Sequence, residues 1–338
     1  MPAFRDVAAS TTASSVCVPV GLNPGSRFTL AFERYPIDVL SAAGSLSEAA
    51  GWLRLDWDAV HRIQRRAVER GMARRESEPT ACIGIDEKSF GRGQSYGSVV
   101  SDLTGRRVLE VVQNRDEQAA KEVLETLPPT LRRSIQAVAM DMWKPFINAA
   151  SQVLPDADIV FDKFHIVRLL HDGVDRVRRQ EHRHLKAQGD DVLGGSKYLW
   201  LKSPAKQTPQ QWSRFKSLLA LNLKAGRAWG LVQTFKSFWQ CADEAEACEF
   251  FKRWFGRAKR SRLTPIQTAA DTIKRHLHGI LTYFKHRITN ASAEGLNSLI
   301  QSLKSAARGF RNFANYRATI LFHLGKLSLK PLTTHTFS

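Results

Sequence analysis

Cysteine is scarce in this chain and spaced for neither crosslinking nor metal binding: Cys17, Cys82, Cys241 and Cys248 include no Cys-x-x-Cys pair. That spacing excludes a readable disulfide framework or zinc ribbon. Cys82 falls in an apolar, strand-like stretch and Cys241 and Cys248 in helical patterns, where a thiol ordinarily serves as a small buried apolar group. Long hydrophobic runs are also missing. No stretch approaches the roughly 18 apolar residues of a spanning helix, so membrane insertion is not expected. Acidic residues are in deficit, 32 Asp plus Glu against 50 Lys plus Arg, which leaves a net charge of +18 and a pI near 10.1. A field of that sign favours a polyanionic partner, with nucleic acid the first candidate and an anionic membrane surface the second. Residues 1–26 hold few large apolar side chains and read as a flexible segment. Residues 8–20 make a poor signal peptide, because Ser and Thr interrupt the apolar stretch and no strongly basic segment precedes it, so a cytosolic protein is expected.

What is present is 338 residues, 43% of them hydrophobic, enough for two or three domains. Residues 37–73 follow a helical period. Ser45 and Glu48 resemble a capping box, a short turn follows at Arg54, and a second helix runs from about Asp56 to Arg70 with Val60, Ile63 and Ala67 on one face. Arg62, Arg65, Arg66 and Arg70 occupy its other faces. Two helices joined by a tight turn, the second basic, match a helix-turn-helix whose second helix enters the major groove; a plain helical hairpin with a solvated charged face is the alternative. The expected domain spans 27–78.

Beyond the polar linker at 74–79 the period changes. Strands are expected at 81–85, 95–101 and 107–113, with Asp102-Leu-Thr-Gly as a hairpin turn, then a helix at 117–127, a strand at 135–140, a helix at 145–154 and a fifth strand at 158–161. Three antiparallel strands followed by alternating helix and strand describe an α/β (α+β), ribonuclease-H-like sheet, its first part at 79–162. From 163 to 286 strand signals vanish and five helical patterns follow, too long a block for a loop and therefore a helical insertion. Residues 287–338 return to the core with a helix at 290–305, another at 313–322 and a Pro-containing tail.

Three acids stand out in this layout: Asp86 in Ile83-Gly-Ile-Asp-Glu, Asp141 in Ala139-Met-Asp-Met-Trp, and Glu294 in Asn290-Ala-Ser-Ala-Glu-Gly-Leu-Asn. The first two are expected to close apolar strands. A carboxylate there loses hydration unless a hydrogen-bond network or a metal ion compensates. Each also has an ordinary reading, the Asp residues as caps or turn formers and Glu294 as a solvated ion pair. Asp162 and His165 close the fifth strand and either bind DNA, support a metal shell or, through Asp162, cap the next helix. Trp143 and Phe146 are either stacking groups or core.

These stretches, with Val160-Phe-Asp-Lys-Phe-His, Val174-Asp-Arg-Val-Arg-Arg and Ala307-Arg-Gly-Phe-Arg-Asn, resemble the DDE transposases of the retroviral-integrase-like superfamily, and within them the bacterial insertion-sequence group ISL3. The resemblance covers the chain from about Arg27 onward. It implies a helix-turn-helix, a ribonuclease-H-like core and a bacterial, nucleoid-associated enzyme that cuts DNA at the element's ends and joins the freed 3' hydroxyl to target DNA. It further implies Asp86, Asp141 and Glu294 as catalytic residues and ligands of two Mg²⁺ or Mn²⁺ ions, Asp86 bridging them. Hard oxygen donors suit these ions, and two of them can serve the attacking and leaving oxygens. The implied partner is double-stranded DNA, terminal inverted repeats and target alike, held by a homodimer. Candidate phosphate contacts are Arg62, Arg65, Arg66, Arg70, Arg176, Arg178, Arg179, Lys304, Arg308 and Arg311. The alternative is a non-catalytic DNA-binding remnant acting as a regulator. Members of the group commonly carry a Cys-rich zinc-binding segment ahead of the helix-turn-helix; no such pattern precedes Arg27, and truncation or a frame change would explain that.

Overall fold

A computed structural model describes residues 27–75, 78–91, 96–288 and 291–332. The expectation of a flexible segment at 1–26 lies outside these residues. The chain divides into two compact units, Met1–Arg75 with Leu327–Ser338, and Glu76–Lys326.

The first unit contains α1 (Leu30–Ala42), α2 (Leu46–Leu53) and α3 (Trp57–Ala73). Each begins where a side-chain oxygen satisfies an orphan backbone N–H: Thr29 accepts from Phe32 N, Ser45 from Glu48 N and Asp56 from Ala59 N. Arg54, at φ 53°, makes the left-handed turn between α2 and α3. The core comprises Ile37, Leu40, Ala49, Val60, Ile63 and Ala67, all buried. Within it lies a charge, the fully buried Glu33. Arg66 Nε and Nη2 donate to Glu33 Oε1 at 2.9 and 2.5 Å, and Arg70 Nη1 donates to Oε2 at 3.0 Å. This corrects the expectation for Arg66 and Arg70. They are not free for phosphate, because a buried carboxylate demands cationic donors and takes these two. Arg62 and Arg65 remain exposed, Arg65 lying 3.6 Å from Glu69.

The tail was expected to complete the core. Its end belongs instead with α1 and α3: Arg34 donates to Pro331 O at 2.9 Å, Arg70 to Leu329 O at 3.4 Å and Arg74 to Lys330 O at 2.7 Å, while Lys330 pairs with Asp38 at 2.6 Å. Gly71 sits under Leu327, whose Cβ would lie 2.6 Å from any Cβ added there.

The second unit is built on five strands, β1 (Cys82–Ser89), β2 (Tyr96–Asp102), β3 (Arg107–Gln113), β4 (Ala137–Met140) and β5 (Asp158–Phe161), in the order β3-β2-β1-β4-β5. β1, β2 and β3 are antiparallel neighbours, and β4 and β5 run parallel to β1. The expected hairpin turn is present. Buried Asp102 accepts from Thr104 N and Gly105 N with one oxygen, and from Thr80 and Arg107 with the other. Among the sheet's helices are α4 (Glu117–Glu125), α5 (Pro129–Ser134) and α6 (Lys144–Val153). Ala120, Val123 and Leu124 of α4 join Ile83, Val100, Leu109, Val138 and Phe146 in one core.

β1 is longer than expected and does not end at Asp86. Its pairing with β4 stops at Gly84↔Ala139, whereas its pairing with β2 continues through Asp86↔Val99 to Ser89↔Tyr96. Asp86 therefore sits in a strand paired on one edge only, which leaves the other edge open beside the end of β4.

The expected insertion is helical: α7 (Lys163–Ala187), α8 (Lys197–Leu201), α9 (Pro209–Ala220), α10 (Lys224–Lys236), α11 (Glu244–Arg260), α12 (Thr264–Arg275) and α13 (Leu277–His286). Its apolar faces, including Val174, Phe215, Phe235 and Trp254, continue the sheet's core. The helix expected over 264–284 is two helices broken at His276. The break lets α13 lie on β5, where Thr282 Oγ1 donates to Ile159 O at 2.6 Å. Gly279 makes that approach possible, since an added Cβ would fall 2.5 Å from Phe161 Cε2. Gly279→Ala is expected to cost about 1–3 kcal/mol, read as a shift in chemical denaturation midpoint, because the ring and strand beneath are packed.

After α14 (Ala291–Ala306), α15 (Phe313–Leu324) covers β3, with Arg317 donating two hydrogen bonds to Glu110 at 2.7 and 2.6 Å. Among the described residues no helix is long and apolar enough to cross a membrane.

Candidate active site

The carboxyl ends of β4 and β5 and the open edge of β1 bring acids together. Asp141 directly follows β4 and Asp162 directly follows β5, and Asp162 N donates to Met140 O at 2.9 Å, holding the two ends level. Asp86 is tightly held: Oδ2 accepts from Asn297 Nδ2 at 2.6 Å and lies 3.1 Å from Lys88 Nζ, and Oδ1 accepts from Glu87 N at 2.8 Å. Asp141 Oδ1 accepts from Trp143 N at 3.0 Å.

Burial pushes the Asp141 carboxyl above the ordinary carboxylate range; His165 and the Trp143 N–H oppose the shift, and the carboxylates of Asp86 and Glu87 reinforce it. The fold thus favours the protonated acid, so this contribution to stability is present at low pH and is lost as pH rises through the raised value. Asn mimics the protonated form. Asp141→Asn is therefore expected to melt above the parent in EDTA at neutral pH, with the gap closing as pH falls through the carboxylate range. A gap independent of pH would remove the electrostatic explanation.

Asp162 caps α7, its Oδ1 accepting from Phe164 N at 2.9 Å, and its Oδ2 lies 3.6 Å from His165 Nε2. Phe146 is core and Trp143 is exposed, with the Arg115 guanidinium 5.9 Å from the Trp143 ring. Glu87 turns to Arg115, at 3.1 Å.

Asp86 and Asp141 thus come within electrostatic range of each other. Glu294, exposed on the first turn of α14, lines a cavity with Ala139, Asp162 and Phe164. It does not form one cluster with the other two acids. Among the described residues no group of three or more His, Cys, Asp or Glu side chains is placed to hold a metal ion. The link between α14 and Asp86 is Asn297, which stands three residues after Glu294 and so on the same helix face. Sequence reasoning missed Asn297, whose only signal was that spacing.

The basic candidates separate into two groups. Arg178 is buried and bonded to Asp175 at 2.8 Å, which removes it from the expected phosphate contacts, because α7 folds that face into the core. Arg179 is exposed but also pairs with Asp175, at 3.1 Å, and Arg176 is exposed. Lys304 donates to Ser89 O at 2.7 Å and anchors the end of β1. Lys304, Arg308 and Arg311 line a cleft of about 590 Å³ with Phe90 and Phe310.

Residues 83–320 match the ISL3-family DDE model, described as a transposase, and residues 16–68 match the helix-turn-helix domain of transposase family ISL3. The chain is 27% identical over 276 residues to the transposase for insertion sequence element IS1001 of Bordetella parapertussis, covering 81% of this chain and 68% of that protein. It is 24% identical over 253 residues to the transposase for insertion sequence element IS1557 of Mycobacterium tuberculosis strain H37Rv, covering 68% of this chain and 57% of that protein. The chain thus spans little more than half the length of one relative and about two thirds of the other. With one model matching most of the sheet-bearing unit and the other matching the helices before it, the chain belongs to the ISL3 family of transposases.

Proposed function

We propose that this chain cuts DNA at the ends of an insertion sequence and joins the freed 3' hydroxyl to target DNA, using Asp86, Asp141 and Glu294 on a ribonuclease-H-like core. The observation that carries the reading is the hydrogen bond from Asn297 to Asp86. It ties the Glu294 helix to the acid-bearing strand, and side chains at i and i+3 on a helix lie about 5–6 Å apart at Cβ. The sheet order, with β4 and β5 parallel to β1 and acids at their carboxyl ends, supports the same reading.

The donor set fits a divalent cation of the Mg²⁺ or Mn²⁺ type. All the groups are hard oxygens, and the Asp141 carboxyl, raised by burial and by neighbouring carboxylates, is the kind of group a nearby cation would ionise. When bound, such ions activate the attacking oxygen and stabilise the leaving one. Asp86, Asp141 and Glu294 would hold them, Asn297 and Lys88 orient the Asp86 carboxylate, and His165 is placed to balance charge at Asp141. Lys304, Arg308 and Arg311 would grip phosphates beyond the end of β1, and Arg62 and Arg65 would contact duplex DNA from α3. A homodimer holding two ends would complete the assembly.

The lack of a three-acid cluster favours a second reading, a DNA-binding regulator that does not cut. The test is incubation of labelled duplex carrying the ends of the encoding element with the full chain. Nicking that stops in EDTA and returns with Mg²⁺ or Mn²⁺ is expected. Binding without nicking in either metal would support the regulator instead.

A further inference from the structure

Beside the acids lies a cavity of about 420 Å³ whose character differs from the rest of this basic chain. Ala139, Val160, Phe164, Val167 and Tyr283 line it, together with Glu294. Phe164, the second residue of α7, is 56% exposed although it is a large apolar side chain. Its backbone N–H is fixed by Asp162 Oδ1 at 2.9 Å, and its ring stands perpendicular to that of His165 with 5.6 Å between centroids.

An apolar cavity beside a phosphodiester-cutting centre has an unusual requirement. Duplex DNA presents phosphates and groove edges to a protein, and its apolar surfaces, the base faces, are hidden in the stack. They become available only when a nucleotide is turned out, and aromatic side chains then stack on them with little regard to sequence. We propose that this cavity receives one unstacked nucleobase from the DNA bound at Asp86 and Asp141, with Phe164 and Tyr283 providing its apolar and stacking walls. Lys163, also on the cavity wall, supplies positive charge for a flanking phosphate. With Glu294 in the cavity wall and a ligand in the proposed function, the extruded base would belong to a nucleotide close to the scissile phosphate. This inference rests on the proposed function, since the DNA is positioned by the same acids.

The test measures affinity by fluorescence anisotropy in Ca²⁺, a hard divalent cation that oxygen ligands accept, with duplexes carrying the element's end. In a series of these duplexes the base opposite each successive position is replaced by an abasic site. Freeing a base from its partner lowers the cost of turning it out, so the wild-type chain is expected to bind about tenfold tighter when the freed position is the one that enters the cavity, and to show no gain elsewhere. Phe164→Ala is expected to lose that gain, and Phe164→Trp, which keeps a stacking face, to retain it. Uniform affinity across the series overturns the inference, as does a gain that survives Phe164→Ala. Because no cleavage is read, a chain that nicks DNA but shows no positional gain refutes the cavity alone. A chain that shows the gain but never nicks refutes the catalytic reading alone.

Discussion

Asp86→Asn and Asp141→Asn are each expected to lower single-turnover cleavage of end-bearing DNA by about a thousandfold or more. Charge stabilisation by a bound divalent ion amounts to several kcal/mol, and about 4 kcal/mol corresponds to three powers of ten in rate. Removing one of two neighbouring carboxylates takes most of that with it. The parent and variants should bind the same DNA comparably in EDTA, which separates lost chemistry from lost fold. Glu294→Gln is the decisive arm. Asp86 lies within electrostatic range of Asp141 in the folded chain, whereas Glu294 lines a cavity with Asp162. If Glu294→Gln cuts at the parent rate while Asp86→Asn does not, the third ligand is another group, and Asp162 or His165 becomes the place to look.

Glu33→Ala should be the most destabilising single change in the amino-terminal helices. Glu33 is fully buried, and the side chains of Arg66 and Arg70 are only 20% and 16% exposed. Deleting one member of a buried ion cluster leaves uncompensated charge and costs about 3–5 kcal/mol; the partial wetting of the two guanidinium groups argues for the lower end. In the full chain, amide hydrogen exchange in α1 and α3 is then expected to quicken by about two orders of magnitude, while exchange in the five-stranded sheet stays unchanged. Replacing all three together, with Glu33→Leu, Arg66→Met and Arg70→Met, should restore most of the protection. A triple variant as labile as Glu33→Ala would show that packing lost at position 33, rather than stranded charge, is responsible.

The contrast between these sites explains how much was readable from residue order. Strand positions, the Asp102 turn and the helical block after Phe161 were legible because apolar period and turn chemistry are local. The apolar run before Asp86 misplaces the strand's end, since a strand's length here is set by which neighbour still pairs with it: β2 carries β1 on to Ser89 after β4 has stopped. The break at His276 was invisible because the apolar period runs through it, and only the approach of Gly279 to Phe161 reveals why two helices are needed. Charge gave the least information. Arg66, Arg70 and Arg178 look like their solvent-facing neighbours in a string of letters, and differ only because Glu33 and Asp175 lie inside the fold beside them. Asn297 was passed over for the complementary reason, that a neutral amide announces nothing until its acceptor is known.

The backbone carbonyls at positions 329, 330 and 331 are held by arginines at 70, 74 and 34. During synthesis, these helices must wait until residues 329–331 are made before Arg34, Arg70 and Arg74 find these acceptors. Contacts so distant along the polypeptide form slowly. A helix-turn-helix fragment ending at Arg75 would consequently be an unfinished object, and one joined directly to residues 327–332 by a short linker should be the smallest piece that reproduces the native module.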